Sequence, residues 1–432
     1  MADFEIFLTE PKYNLLKKTI MRKLLFAFLF LSAAMLKAQE SEKTFGIKFS
    51  GYVKTDVFYD TRQTVSVREG HFLLWPAAVS LDPDNKDINA RPNFNILSIQ
   101  TRLHGSITGP DAFGAKTSGV IEADFFGNEN PNFSDVNGFR LRHAFVKLSW
   151  EKTELLVGQY WHPMFVTQCY PGVISFNTGA PFQPFSRNPQ IRVTQKLGTF
   201  NLLIAAQSQR DFANRLAGSA TQTSSYLRNS GIPDMQLQLH YVQGASFIAG
   251  IGGGYKVLLP QLKTSAGYKT GATTSALSAI AFFKIKTNKV TIKAEGVYAQ
   301  NGADYLLPGG FAVKDTTDRL KSEVEYTPIS AVTAWTDLNT NGEKIQIGLF
   351  AGYAKNLGAS DNVDGPIYGL GTDIADIFRV SPRLIVNAGK FSFTTELEYT
   401  SAAFGVPDNK AIPVNTTRTA NLRILLATYY YF

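Results

Sequence analysis

The stretch FGIKFSGYVKTDVFYD, residues 45–60, keeps one apolar face along the whole run. One face is formed by the odd-numbered positions, Phe45, Ile47, Phe49, Gly51, Val53, Thr55, Val57 and Tyr59. The even-numbered positions include Lys48, Ser50, Lys54, Asp56 and Asp60. A period of two residues is typical of a β-strand with one apolar face. The run is far longer than a usual strand of about five or six residues, and its length fits a strand that crosses a membrane and continues into solvent.

The same alternation recurs along the chain and predicts sixteen strands. They lie near residues 45–60, 94–108, 115–127, 139–150, 153–161, 190–198, 199–210, 233–243, 245–257, 274–287, 289–300, 328–338, 343–357, 374–387, 390–401 and 417–432. Long connections such as 61–93 and 162–189 follow the odd-numbered strands, and tight turns such as 151–152 follow the even-numbered ones. This rhythm is typical of an outer-membrane barrel with long external loops, short periplasmic turns and both termini in the periplasm.

A soluble β-sandwich also has alternating strands, but it would not need sixteen long ones in this strict rhythm. Lipid offers no hydrogen bonds to the backbone, so a sheet in the bilayer must close on itself. We therefore expect the strand ending at Phe432 to pair with the strand that begins near Phe45. The predicted fold class is all-β: a transmembrane antiparallel β-barrel of about 16 strands, wide enough for a water-filled lumen.

The N-terminal residues predict export from the cytoplasm. Residues 21–39, MRKLLFAFLFLSAAMLKAQ, contain a positive start at Arg22 and Lys23, an apolar run over 24–36 and a plausible cleavage site after Ala38. We assign residues 1–20 to an upstream extension, 21–38 to a signal peptide and 39–432 to the barrel. A buried or membrane-anchoring helix is the alternative for this run. Because the sequence holds no other long apolar run, helical spans are not expected.

Composition agrees with an envelope protein. Aromatic residues make up 12% of the chain and charged residues only 18%, which is aromatic-rich and charge-poor for a globular protein. A single cysteine, Cys169, excludes an intramolecular disulfide. Export without disulfides, and without a cysteine after the signal to carry a lipid, fits the bacterial envelope better than a small secreted scaffold.

The connection between the fifth and sixth strands, residues 162–189, has an unusual composition for an external loop. It is rich in Pro, Gly and Phe and carries one formal charge, Arg187. We expect it to fold into the lumen as a constriction loop that narrows the pore. The alternative is a surface loop made apolar by contact with a neighbouring subunit. Cys169 within it is expected to be a packed thiol, because no neighbour in the sequence would lower its pKa.

Charges of both signs fall on the lumen-facing parity. The cations are Lys48, Lys54, Arg102, Arg192, Lys196, Lys293, Arg379, Arg383 and Arg423, and the acids are Asp56, Glu122, Asp124, Glu295, Glu396 and Glu398. Rings of Arg and Lys select anions in a pore, although interior charges can also be a merely solvated face. In FRLRHAFVKLSW, residues 139–150, Arg140 and Arg142 share a parity with Ala144 and Val146. Charged and apolar side chains therefore fall on the same face of one strand. This conflict predicts either a β-bulge in the strand or a position of the two arginines at the rim of the barrel.

Motifs for metals or catalysis are weak. Asp337–Gly342 begins like a calcium loop, but its twelfth position is Gly348 rather than Glu, so Asn341-Gly342 is better explained as a hairpin turn. The acidic residues of 82–87 could chelate calcium or simply solvate a loop. None of the five histidines has a recognisable serine-hydrolase setting. We therefore expect neither an enzyme nor a metal or other cofactor.

Four segments resemble the DcaP-like outer-membrane porins: GVIEADFFG (119–127), FRLRHAFVKLSW (139–150), LLVGQYWHP (155–163) and SRNPQIRV (186–193). The resemblance implies a trimer of 16-stranded barrels that passes small anionic solutes, including dicarboxylates, through an arginine-lined constriction. On this chain it implies that Arg140, Arg142, Arg187 and Arg192 contribute to that lining. Better-known members carry a coiled coil before the barrel, whereas few residues separate Gln39 from the first strand here. Trimerisation would then rest on the barrel wall.

The sequence thus predicts a porin of the bacterial outer membrane that passes small hydrophilic solutes and prefers anions. The alternative is a plugged outer-membrane barrel that acts as a ligand-binding or adhesion protein. Candidate pore-lining and anion-binding residues are Arg140, Arg142, Arg187, Arg192, Arg102 and Arg383. Expected partners are small anionic solutes, outer-membrane lipid, the barrel-assembly machinery and two further copies in a homotrimer, with no nucleic acid. The closing aromatics, up to Phe432, resemble the signal that the assembly machinery reads.

Overall fold

A computed structural model describes residues 45–127, 138–215 and 222–432. The predicted upstream extension 1–20 and signal peptide 21–38 lie outside these ranges. The chain forms a closed antiparallel barrel whose strands we number β1 to β16. They are β1 Gly46–Asp60, β2 Asn93–Leu97 with Arg102–Thr108, β3 Lys116–Asp124, β4 Arg140–Ser149, β5 Thr153–Trp161, β6 Arg187–Leu197, β7 Phe200–Gln207, β8 Asp234–Gln243, β9 Phe247–Leu258, β10 Thr274–Lys286, β11 Val290–Gln300, β12 Glu323–Thr340, β13 Ile345–Ala359, β14 Ile374–Ala388, β15 Phe391–Pro407 and β16 Pro413–Tyr431.

The barrel closes between its first and last strands. β1 pairs with β16 in a register that runs from Tyr52 opposite Tyr431 to Asp60 opposite Arg423. Sixteen strands and their closure were predicted from the sequence and are confirmed. The main differences are at strand ends: β12 and β15 extend several residues further toward the external loops than their alternating patterns indicated.

Alternate residues of each strand face opposite environments. In β10, Ala276, Ile280 and Phe282 are buried inside the barrel, whereas Leu277 is 55% exposed on the outer wall. The outer wall is predominantly apolar, which is typical of a barrel whose outer face lies in lipid. The outer-membrane location predicted from the sequence is confirmed by this surface together with the fold. Among the described helices, none has the length and hydropathy of a membrane span.

Tight turns join the strands at the predicted periplasmic end. Gly198 and Gly389 occupy left-handed backbone conformations, with φ of 68° and 60°, in the turns β6–β7 and β14–β15. Glycine adopts this conformation without the steric cost that a Cβ atom brings. The long connections therefore all lie at the opposite end of the barrel.

Short elements in the long connections were not anticipated. Thr64–Val67 and Phe72–Pro76 form a two-stranded hairpin between β1 and β2, and Gly309–Asp318 pairs with β12 and with Ile367–Leu370. A helical turn spans Ser225–Ser230 and a 3₁₀ turn spans Gly302–Tyr305. These segments are short or lack an apolar face, so period-two alternation could not identify them.

Candidate functional site in the barrel lumen

The connection between β5 and β6, which we call loop 3 (residues 162–186), lies inside the barrel. Its backbone meets the inner wall on the far side: Lys54 Nζ of β1 donates to Ile174 O at 3.0 Å, and Thr333 Oγ1 of β12 donates to Phe182 O at 2.9 Å. Arg379 Nη1 of β14 donates to Ala180 O at 2.8 Å. A loop that leaves β5 and reaches these strands crosses the lumen. That it narrows a conducting pore stays a prediction.

The hairpin between β1 and β2, which we call the loop 1 hairpin (residues 64–76), also enters the barrel and covers loop 3. Arg423 Nη2 donates to Gly70 O at 2.7 Å, and Arg379 Nη2 donates to Leu74 O at 2.8 Å. The His71 ring stacks on Phe176 of loop 3, with 5.3 Å between centroids. Two arginines of the barrel wall therefore hold the hairpin through its backbone carbonyls.

The loops share one hydrophobic cluster within the lumen. Its members include residues from five connections: Phe72, Trp75, Phe126, Phe165, Phe176, Phe182, Phe185, Phe212, Tyr305 and Leu306. Phe126 and Phe176 stack with 4.1 Å between centroids. The sequence indicated an apolar loop 3, but not that several external loops would meet it inside the barrel.

A bulge explains the parity conflict at Arg140 and Arg142. Glu122 of β3 pairs with His143, whereas Ala123 pairs with Leu141, so Arg142 is an extra residue in β4. An extra residue shifts the alternation, which lets both arginines point inward while Val146 faces lipid. The bulge predicted from this stretch is confirmed.

Four of the six candidate arginines join one ion-pair network. Arg142 Nε lies 2.7 Å from Glu122 Oε1 and its Nη1 lies 3.0 Å from Asp124 Oδ2. At one end, Arg102 Nε is 3.7 Å from Glu122 Oε1. The remaining ion pairs of the network are Arg140–Asp124 at 2.9 Å, Arg140–Asp211 at 3.8 Å and Arg187–Asp211 at 2.7 Å. The network therefore contains four arginines and three carboxylates, which leaves an excess of one positive charge.

Asp211 was missed by sequence reasoning because it follows β7 in a loop, where alternation carries no information. It is nearly buried, at 10% side-chain exposure, and accepts from Arg187 Nε at 2.8 Å. Burial alone would raise the pKa of Asp211, but the positive charges of Arg187 and Arg140 lower it below its ordinary value. The carboxylate is therefore charged at neutral pH and fixes Arg187 at the external end of the network.

Arg192 and Arg383 lie outside this network. Arg192 Nε donates to Gln190 Oε1 at 2.8 Å, and its guanidinium lies 5.2 Å from the Tyr160 ring centroid. No carboxylate among the described residues is within ion-pair distance of Arg192. Arg383 stands on the opposite wall in a bidentate pair with Asp337. The six candidates thus occupy three separate places around loop 3.

Two lumen cavities lie between loop 3 and the wall. Cavity 1 has a volume of about 630 Å³, and its lining includes Arg102, His104, Glu122, Arg142, His143, Tyr160, Phe165, Tyr170 and Ser175. Cavity 2 has a volume of about 280 Å³, and its lining includes Lys147, Glu154, Arg192, Lys196, Gln238 and His240. Lys147 pairs with Glu154 at 3.0 Å, which leaves Arg192 and Lys196 as the excess positive charge of cavity 2. Cavities of this size accept small solutes.

Cys169 is a packed thiol within loop 3. Its Sγ donates to Phe283 O at 3.1 Å, and the residue is fully buried. Burial, together with the charge of Glu295, raises the pKa of Cys169 to about 12. It therefore stays protonated and is a poor nucleophile, as predicted. Within the described ranges, no group of three metal-ligating side chains is placed to hold an ion.

Solved structures share the fold of this chain. OmpT of Vibrio cholerae superposes with a TM-score of 0.52 at 10% identity, over 92% of this chain and all of that one. An anion-selective porin from Comamonas acidovorans superposes with a TM-score of 0.53 at 11% identity, over 90% of this chain and all of that one. No protein-family model and no curated protein matches the sequence. The barrel has the porin fold, whereas membership of the DcaP-like family stays a prediction.

Proposed function

We propose that this chain is a diffusion porin for small hydrophilic solutes with a preference for anions such as dicarboxylates. The observation that carries the proposal is the pair of lumen cavities, each bounded by arginine side chains on the wall beside loop 3. Solutes in cavity 1 meet arginines of the ion-pair network, and solutes in cavity 2 meet Arg192 with Lys196. Fixed positive charge in a confined aqueous space lowers the energy of an anion relative to a cation.

Two further lines support anion preference and a trimer. The resemblance to DcaP-like porins implies both properties, and one structural neighbour is described as an anion-selective porin. Another, in vitro folded OmpT of Vibrio cholerae, is described in a trimer form; it has a TM-score of 0.53 at 10% identity and covers 90% of this chain and 99% of its own. We propose a homotrimer whose contacts rest on the apolar outer wall.

Planar-bilayer recording tests the proposal directly. Purified protein should insert as discrete conductance steps, and its reversal potential in a salt gradient should have the sign of an anion-preferring channel. A sample that inserts without conductance would refute the channel. Conductance with cation preference would refute only the selectivity.

The shared hydrophobic cluster favours a second candidate function, a plugged barrel that binds a ligand. Five external connections pack together within the lumen, and the loop 1 hairpin lies over loop 3. A lumen filled by packed aromatic side chains blocks large solutes and presents a rigid surface to an external ligand.

Liposome swelling separates the two candidates. Proteoliposomes should swell in small sugars or organic acids if the chain conducts, whereas a plugged barrel would admit neither solute. Deletion of residues 64–76 provides the matched control, because it removes the hairpin while leaving every barrel strand in place. Swelling that appears only after this deletion would favour the plugged barrel.

A further inference from the structure

Cavity 1 has aromatic side chains on both of its walls. On the barrel wall, Phe145 and Tyr160 meet edge to face with 4.9 Å between centroids. On loop 3, Phe165 and Tyr170 stack with 5.5 Å between centroids. Simple diffusion of small polar ions does not require these rings, since an apolar surface offers nothing to a hydrated ion. They indicate a solute that presents an apolar face as well as polar groups.

The same cavity contains buried polar atoms that have no hydrogen-bond partner among the described residues. They are Ser175 Oγ, His143 Nδ1 and Arg102 Nε, the last of which faces Glu122 Oε1 at 3.7 Å, beyond hydrogen-bond distance. Ser175 is 3% exposed and His143 is 5% exposed, and all three residues line cavity 1. An unsatisfied buried polar group is costly, so such groups are commonly completed by water or by a ligand. Three of them in one cavity mark a place where a ligand's oxygens can bind.

The ligand's charge follows from the network beside the cavity. The seven-residue network has four arginines and three carboxylates, so it keeps one excess positive charge. Arg102 and Arg142 share the carboxylate of Glu122. Arg102, at 20% side-chain exposure, is more accessible from the cavity than Arg142 at 3%. One carboxylate on the solute would balance this excess, with Arg102 as its nearest accessible guanidinium.

We propose that cavity 1 is a binding site for sugar acids of the hexuronate type. A pyranose ring has C–H faces that pack on aromatic rings and hydroxyl groups along its edge, and a hexuronate adds one carboxylate. The faces would pack between Tyr160 and the exposed ring of Tyr170, the hydroxyls would meet Ser175 and His143, and the carboxylate would meet Arg102. A short aliphatic dicarboxylate has no face to cover the rings, and a neutral hexose leaves the excess charge unbalanced. The proposal rests on the proposed function, because it names a solute for the same lumen.

Calorimetric titration of the detergent-solubilised full chain tests the site without requiring conductance. Glucuronate should bind, whereas glucose and succinate should each bind at least about tenfold more weakly. Glucose lacks the carboxylate that would meet Arg102, and succinate lacks the pyranose ring that would pack on the aromatic side chains. Tyr170→Ala should weaken glucuronate about tenfold and leave succinate unchanged. Tyr241→Ala, which removes a tyrosine from the outer wall, is the matched control and should have no effect.

Bilayer recording of the same proteins separates this proposal from the channel. Glucuronate should reduce the current through the parent chain at lower concentration than succinate does, and Tyr170→Ala should abolish that difference. Binding without any conductance would support the site and refute the channel. Conductance with equal affinity for glucuronate and succinate, or with benzoate binding as well as glucuronate, would refute the sugar-acid site.

Discussion

Arg383 and Asp337 form a bidentate ion pair on the inner wall of the barrel, with 2.7 Å between Nη1 and Oδ1 and 3.1 Å between Nη2 and Oδ2. Both side chains are buried. Asp337 Oδ2 also accepts a hydrogen bond from Gly172 N of loop 3 at 3.0 Å. The pair therefore connects strands β12 and β14 to the loop that crosses the lumen. We infer that Arg383, a candidate for pore lining, mainly fixes loop 3 against the wall.

Replacement of Arg383 by alanine should destabilise the barrel and loosen loop 3. It leaves the Asp337 carboxylate buried without its cation, a change that typically costs about 3–5 kcal/mol. We expect a lower temperature of unfolding by heat-dependent gel mobility and a larger, noisier single-channel current. The double variant Asp337→Asn with Arg383→Gln removes both charges, so it should recover most of the stability. Equal destabilisation by the single and double variants would contradict the role of the pair.

The arginines near the two cavities should set ion selectivity. Arg140→Gln with Arg192→Gln removes one positive charge from the network and one from cavity 2, which should move the reversal potential toward cation preference. Arg418→Gln is the matched control, because Arg418 is 43% exposed and pairs with Asp376 away from both cavities. An unchanged reversal potential in the double variant, with normal conductance, would show that these arginines do not select ions.

The sequence predicted the wall of this barrel far better than its interior. Alternation over residues 45–60 is a local consequence of one face in lipid and one in water, so it survives in the sequence of every strand. The ion pair between Arg140 and Asp211 joins β4 to a distant loop, and no local pattern records such a contact. Even so, the parity conflict at Arg142 located the bulge, because an inserted residue leaves a trace in the alternation.

The loop 1 hairpin should respond to pH through His71. Burial lowers the pKa of His71 below its ordinary value of 6.5, although Asp56 Oδ2 lies 2.8 Å from its Nε2. A lowered pKa means that His71 takes up a proton less readily in the packed hairpin than in the unpacked one. The stability of the packed hairpin is therefore full above pH 6.5 and decreases as the pH falls below that value. We expect proteolysis within residues 64–76 to be faster at pH 5 than at pH 7.5.

His71→Phe provides the control for this pH effect. A phenyl ring keeps the stacking on Phe126 and Phe176 but cannot take up a proton. Its cleavage rate should therefore be nearly equal at the two pH values, measured with a protease whose activity has been calibrated at both. If the variant retains the full pH dependence, then His71 is not the group that titrates.

The seam between the first and last strands should limit barrel assembly. Phe432 N donates to Gly51 O at 3.2 Å, and Gly51 N donates to Phe432 O at 3.4 Å. A Cβ atom on Gly51 would lie 2.1 Å from Arg102 O and 2.9 Å from the Phe432 ring, closer than atoms can approach. Gly51→Ala and deletion of Phe432 should therefore both reduce the folded, heat-modifiable fraction in membranes, while molecules that do fold conduct normally. Gly271→Ala is the control, since a Cβ atom there would meet nothing within 4 Å. Altered conductance with full assembly would contradict the assignment of these residues to closure.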